Sequence, residues 1–73
     1  MGIIKMPIIR VEMLPGRTVA QKRTLVESLT EGFLQSCGGR KEAIQVIITE
    51  TEADNWGIGA KLLADKHEPD TSE

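Results

Sequence analysis

The run Ile8-Ile9-Arg10-Val11-Glu12-Met13-Leu14-Pro15-Gly16-Arg17-Thr18-Val19-Ala20-Gln21 holds a strand, its stop and a helix start in immediate succession. Over residues 8–14, Ile9, Val11 and Met13 fall on one side, with Ile8, Arg10, Glu12 and Leu14 on the other. That alternation, rich in β-branched residues, predicts a strand. Pro15-Gly16 ends it. Thr18 followed three residues later by Gln21 has the form of a capping box, in which the Thr18 hydroxyl accepts from the third helical amide and Gln21 reaches back, so a helix is expected to begin there.

Working outward, Leu25, Val26, Leu29, Phe33, Leu34 and Cys37 recur at helical spacing on one stripe, while Lys22, Arg23, Glu27, Glu31 and Gln35 lie mostly off it. Gly38-Gly39 supplies a left-handed stop. Residues 44–50 read as a second strand, and their continuous apolar run Val46-Ile47-Ile48 is expected where both sheet faces are covered. Asn55-Trp56-Gly57-Ile58-Gly59 reads as a tight turn or small hairpin, residues 60–66 as a further helical turn, and the residues from His67 onward as a polar tail. Strand, helix and strand in this order form one βαβ unit of the α/β (α+β) class, with parallel strands and a right-handed crossover. One helix covers one face of the sheet. The other face and both edges of a two-stranded sheet then need neighbours, which predicts an oligomer.

Composition points the same way. A chain of 73 residues is one small domain, hiding only about 60% of its unfolded surface, and such domains lean on disulfides, a metal or association. Cys37 is the single cysteine and His67 the single histidine, which excludes an intrachain disulfide and a structural zinc cluster. Nine basic residues against eleven acidic ones, a net charge of −2 and only Phe33 and Trp56 as aromatics argue against nucleic acid as a partner. No apolar run is long enough to span a bilayer, and Met1-Gly2-Ile3-Ile4-Lys5 is too short for a signal peptide and, with Met6 following, fails as a myristoylation signal. The expected setting is cytoplasmic. The pattern Met-any-Ile-Ile-base occurs twice, in residues 1–5 and 6–10, so that two methionines stand as candidate starts.

Few side chains suggest chemistry by themselves. Cys37 sits at the carboxyl end of the predicted helix, where the dipole disfavours a thiolate, and reads as a packed, inert thiol. His67 reads as solvated, leaving no base for a nucleophilic triad. Gly57-Ile58-Gly59 lacks the third glycine of a dinucleotide loop. Glu50, Glu52 and Asp54 read as a solvated edge.

Taken together, Pro7-Ile8-Ile9-Arg10-Val11, Gly16-Arg17-Thr18 with Gln21-Lys22, Val46-Ile47-Ile48-Thr49-Glu50 and Trp56-Gly57-Ile58-Gly59 resemble the 4-oxalocrotonate tautomerase family, in register and without gaps over most of the chain. The resemblance divides the chain into an extension (residues 1–6), a tautomerase domain (7–66) and the tail (67–73). It implies βαβ subunits assembled as homohexamers, trimers of dimers, whose sites draw on more than one subunit. It also implies cofactor-independent and metal-free isomerisation of a small unsaturated 2-hydroxy or 2-oxo acid resembling 2-hydroxymuconate. Pro7 matches the amino-terminal proline whose secondary amine is general base and acid; burial among apolar groups and nearby cations would bring that amine toward neutrality. Arg17 matches the arginine that grips a substrate carboxylate. Trp56 matches an aromatic wall, usually phenylalanine, and Leu14 belongs with it among the substrate-binding positions. The family's typical setting is aromatic catabolism.

Two departures stand out. The family's second arginine, which stabilises the developing dienolate, is replaced by Gln45; loss of such electrostatic help costs roughly 3 kcal/mol of barrier by analogy with oxyanion-hole deletions. Arg10 and Arg40 are the candidate replacements. Residues 1–6 also precede Pro7, which makes its nitrogen a tertiary amide unless translation from Met6 and methionine removal expose it. The alternatives are a catalytically silent oligomeric scaffold and a small-acid binding protein.

Overall fold

The computed structural model describes residues 6–66. The leading repeat, His67 and the polar tail lie outside the described residues. Strand β1 (Ile8–Met13) is followed by helix α1 (Val19–Cys37) and strand β2 (Gln45–Glu50). As expected, β1 and β2 pair in parallel, from Ile8 opposite Gln45 to Met13 opposite Glu50. The ladder runs past both ends, with Gln45 N–H donating to the Pro7 carbonyl at 3.0 Å and Thr51 N–H to the Met13 carbonyl at 2.9 Å. Both strands are one residue shorter than the sequence predicts: Leu14 lies beyond β1, and Ile44 closes a short 3-10 turn (Lys41–Ala43) that precedes β2.

Helix α1 begins where its signal stands. Gln21 N–H donates to Thr18 Oγ1 at 3.0 Å, and Thr18 N–H donates to Gln21 Oε1 at 2.9 Å. Two amides that the helix itself leaves without partners are thereby satisfied. At the other end Gly38 N–H donates to the Leu34 carbonyl at 3.0 Å. Gly38 and Gly39 adopt φ of 80° and 102°, a region glycine enters without the steric penalty of a Cβ.

Alternation along the strands sorts their residues cleanly. Ile9, Val11 and Met13 of β1 and Val46 and Ile48 of β2 are half-buried, as are Leu25, Val26, Leu29, Phe33 and Leu34 of α1. Glu50 shares the helix-facing side with Met13 and is tied to the first turns of α1 by an ion pair, Lys22 Nζ to Glu50 Oε2 at 2.7 Å. Glu50 is exposed, as its reading as a solvated edge expects, and the pair adds a partner that at this exposure contributes only about 0.2–1 kcal/mol. Cys37, expected to pack, is exposed.

The carboxyl-terminal segment departs further from the expected pattern. After a 3-10 turn (Ala53–Asn55), strands β3 (Gly57–Ile58) and β4 (Lys61–Leu62) form an antiparallel hairpin. The hairpin expected at residues 55–59 is present, and its reversal is at Gly59 and Ala60, with φ of 61° and 71°, reaching one residue past that stretch. Two successive positive φ values match the twist of a two-residue hairpin. The helical turn predicted for residues 60–66 survives only as a 3-10 turn at Leu63–Asp65. Hairpin pairing and the 2.7 Å bond from Leu63 N–H to the Trp56 carbonyl commit the earlier part of that segment to β structure.

Among the described residues none is fully buried. The sheet face away from α1 presents Ile8 at 50% and Ile47 at 38% exposure, and the hairpin adds Ile58 and Leu62 at 48% and 42%. The radius of gyration is 16.2 Å, against about 11 Å for a compact chain of this length. No helix among the described residues is long and apolar enough to cross a membrane.

Replacing the capping threonine tests how far the helix start supports the fold. Thr18→Ala is expected to lower stability by about 1 kcal/mol, read as a melting temperature about 4–8 °C lower when parent and variant are compared at equal protein concentration.

Candidate active site

Pro7 stands at the head of β1, held through its carbonyl by the amide of Gln45 at 3.0 Å. Pairing of Ile8 with Gln45 puts Pro7 beside Ile44 on the helix-facing side of the sheet, because successive strand residues alternate between faces. There Met6, Pro7 and Ile44 join Phe33 and Cys37 of α1, together with Gly38, Gly39, Arg40 and Ala43, in lining a cavity of about 540 Å³. Such a volume suits a small ligand. Its walls are largely apolar, and Arg40 is the one charged residue among those that line it.

Gln45 is joined to Pro7 through the backbone, but its side chain belongs to the other face of the sheet, where it is exposed beside Ile8. Arg10 is also on that face, opposite Ile47. Of the two cations that sequence offers in place of a strand arginine, therefore, Arg40 shares the cavity of Pro7 and Arg10 does not. What sequence reading missed is the cavity itself. Its signal was the Gly38-Gly39 pair, which ends α1 and also directs the chain so that Arg40 follows beside Pro7.

The remaining candidates lie at the opposite end. From Pro7 to Met13 the strand runs about 20 Å, and Leu14 and Arg17 come after it. Arg17 lines a second groove, of about 330 Å³, with Met13, Gln21, Lys22, Thr24, Leu25 and Ser28. Trp56 follows the far end of β2, half-buried, at the base of the hairpin, where its carbonyl accepts from Leu63 N–H. Thus one copy of the chain brings together Pro7, Arg40 and the backbone of Gln45. Leu14, Arg17 and Trp56 stand at the other end of the same sheet.

Chemically, the first end offers an apolar recess with one guanidinium and, wherever Pro7 is amino-terminal, a secondary amine. The second end offers a guanidinium and an indole. No group of three or more side chains suited to a metal ion occurs among the described residues.

A family model described as tautomerase enzyme matches residues 7–66, starting at Pro7. The chain is 43% identical over 60 residues to a 2-hydroxymuconate tautomerase of Bacillus subtilis (strain 168), covering 82% of this chain and 97% of that relative. A probable tautomerase of Ralstonia nicotianae is 38% identical over 69 residues, covering 93% of this chain and 99% of its own length. Among solved structures, YwhB, a homologue of 4-oxalocrotonate tautomerase, superposes with a TM-score of 0.80 at 41% identity, covering 84% of this chain and all (100%) of its own. A homologue from the tomaymycin biosynthetic pathway, TomN, gives a TM-score of 0.77 at 36% identity, covering 81% of this chain and 91% of its own.

Proposed function

The chain belongs to the tautomerase family, and from that footing we propose that it catalyses keto–enol tautomerisation of a small unsaturated 2-hydroxy or 2-oxo acid, for which 2-hydroxymuconate is the model substrate. The observation that carries this reading is the position of Pro7: first residue of the family match, head of β1, and wall of an apolar cavity. With Pro7 amino-terminal, its nitrogen lone pair takes the proton of the 2-hydroxyl group. The O–H electrons become the C2 carbonyl, the diene electrons shift along the chain, and the ammonium returns its proton to the distal carbon. The nitrogen ends as it began, and the reaction needs neither metal nor cofactor. An apolar recess disfavours the protonated amine and keeps the base available near neutral pH.

Arg17 is the proposed clamp for the remote carboxylate, since a planar fork of donors matches a carboxylate in two bonds. Trp56 and Leu14 supply the apolar wall, and Gln45, whose side chain is on the open face of the sheet, donates a hydrogen bond to substrate only where a neighbouring copy meets that face. Because Pro7 and Arg17 stand at opposite ends of one chain, a substrate of six carbons meets both only where two copies abut. We therefore assign the active species to an oligomer, a hexamer built as a trimer of dimers, in which the face bearing Ile8 and Ile47 is covered. A cytoplasmic enzyme fits a chain whose lone cysteine needs no partner.

Where Met6 precedes Pro7, the nitrogen is a tertiary amide with no basic lone pair. That form is the silent scaffold or acid-binding protein which the sequence also allows. The chain beginning at Pro7 is expected to ketonise 2-hydroxymuconate at least about 100-fold faster than the chain carrying residues 1–6, and Pro7→Ala in the shorter chain to lose about 100- to 10,000-fold, the range for a positioned acid–base group. Equal turnover by both chains overturns the amine mechanism. Two inert chains that still bind a diacid favour the binding protein.

Mixing tests the shared site. Pro7→Ala and Arg17→Ala subunits, each inactive alone, are dissociated together and reassembled in equal amounts. About one site in four then combines an intact Pro7 from one subunit type with an intact Arg17 from the other, and turnover returns to that fraction. If no activity returns on mixing, the two residues do not act across subunits.

A further inference from the structure

We propose that Arg40 is the second cationic group of the site, binding the carboxylate and the 2-oxygen at the reacting end of the substrate, the work that Gln45 cannot do because an amide carries no charge. This assignment rests on the tautomerase reading and adds to it a residue which neither the strand position nor the family match identifies. Three features carry it. First, Met6, Pro7 and Arg40 line one cavity, and a chain beginning at Pro7 has no Met6 side chain among that lining. Second, Arg40 is the one charged residue of that cavity, and the one ion pair among the described residues is between Lys22 and Glu50. Within those residues no carboxylate competes for the Arg40 guanidinium.

Third, the backbone of Arg40 is set by its neighbours. The positive φ values of Gly38 and Gly39 turn the chain off α1, and the Arg40 carbonyl accepts from Ala43 N–H at 3.0 Å as it opens the 3-10 turn. The residue therefore leads directly into β2, next to the head of β1. Arg10 is an inferior candidate for the role because its pairing opposite Ile47 directs it to the other face.

Electrostatics require a cation here. The carboxyl end of α1 points its partial negative charge at the cavity, and its last turn contains no basic residue to offset it. Left alone, that end repels a substrate carboxylate and favours the protonated amine. A guanidinium at position 40 reverses both effects. The other side chains that line the cavity with Pro7 are Phe33 and the Cys37 thiol from α1 and, from the segment leading into β2, the uncharged Ala43 and Ile44.

Steady-state kinetics with 2-hydroxymuconate across pH, on the chain beginning at Pro7, test the assignment with Arg40→Gln, Arg40→Lys, Arg10→Gln and, as a neighbouring control, Lys41→Gln. Arg40→Gln is expected to lose roughly 100-fold in kcat/KM, the scale of a deleted oxyanion-stabilising donor, and to move the acid limb of the pH profile upward. Arg40→Lys should restore part of the rate and return the limb toward its parental position, while Lys41→Gln should leave both unchanged. A larger loss in Arg10→Gln than in Arg40→Gln, or an Arg40→Gln enzyme within about threefold of its parent with an unmoved limb, overturns it. Calorimetric binding of muconate, a diacid with no hydroxyl proton to transfer, keeps the test independent of turnover. Weaker binding in Arg40→Gln with unchanged binding in Pro7→Ala supports Arg40 even if the amine mechanism fails. Equal muconate affinity in parent and Arg40→Gln chains counts against Arg40 whatever the rates.

Discussion

A two-stranded parallel sheet with a single helix has one face more than it can cover. In this chain α1 shelters Ile9, Val11, Val46 and Ile48, yet not one described side chain is taken fully out of water. The opposite face carries Ile8 and Ile47 at an exposure that a lone soluble domain of this size does not tolerate easily. Conformational entropy opposes folding at every residue, and half-buried aliphatic side chains return only part of what full burial would. The hairpin of β3 and β4 repeats the condition, with Ile58 and Leu62 facing outward. Apolar surface is thus concentrated where the subunit has nothing of its own to put against it, and this is the surface that the proposed oligomer would cover.

The same constraint organises the chemistry. Pro7 and Arg40 lie at one end of the sheet, while Leu14, Arg17 and Trp56 lie at the other, about 20 Å of strand away. A compact globule folds such distances up inside one chain. A single layer covered on one side has no means of doing so, and complementary ends meet only across an interface. Coverage of the open face and completion of a site are, on this view, one event. Differences in subunit contacts would then alter catalysis without altering any residue near Pro7.

What could be read from sequence divides along physical lines. The helix start was legible because Thr18 and Gln21 satisfy each other's amides three residues apart, with no help from elsewhere. Strand pairing was legible because alternation survives any tertiary context. The hairpin was legible in its existence from Trp56-Gly57-Ile58-Gly59, but not in its point of reversal, which uses Ala60 at φ 71°, where the usual signal is Asn-Gly or Asp-Gly. Cys37 failed for a geometric reason. Nineteen helical residues span about 28 Å, whereas six strand residues span about 20 Å, so the helix is longer than the sheet can cover. A position on the apolar stripe is buried only while there is sheet beneath it. Cys37, the last residue of the helix, is exposed and lines the cavity that Phe33, Pro7 and Arg40 share. Periodicity sees the stripe but not the mismatch in length, and a site that depends on the mismatch was only partly visible.

In the proposed mechanism Pro7 would serve fold and chemistry through different atoms. Its carbonyl belongs to the sheet, accepting the Gln45 amide and so setting the register that carries on through Ile8 and Ile9. As an amide its nitrogen has no hydrogen to give the ladder. An ordinary residue at this position would divide its backbone amide between two duties. Proline leaves the nitrogen outside the hydrogen-bond network altogether, so that converting it from tertiary amide to secondary amine changes its basicity completely while the Gln45 contact and the strand pairing keep their partners. Under the proposed mechanism the peptide bond between Met6 and Pro7 would decide the reactivity while leaving the Gln45 contact its partner, so that an amino-terminal proline would be a base that the fold can carry without being built around its protonation.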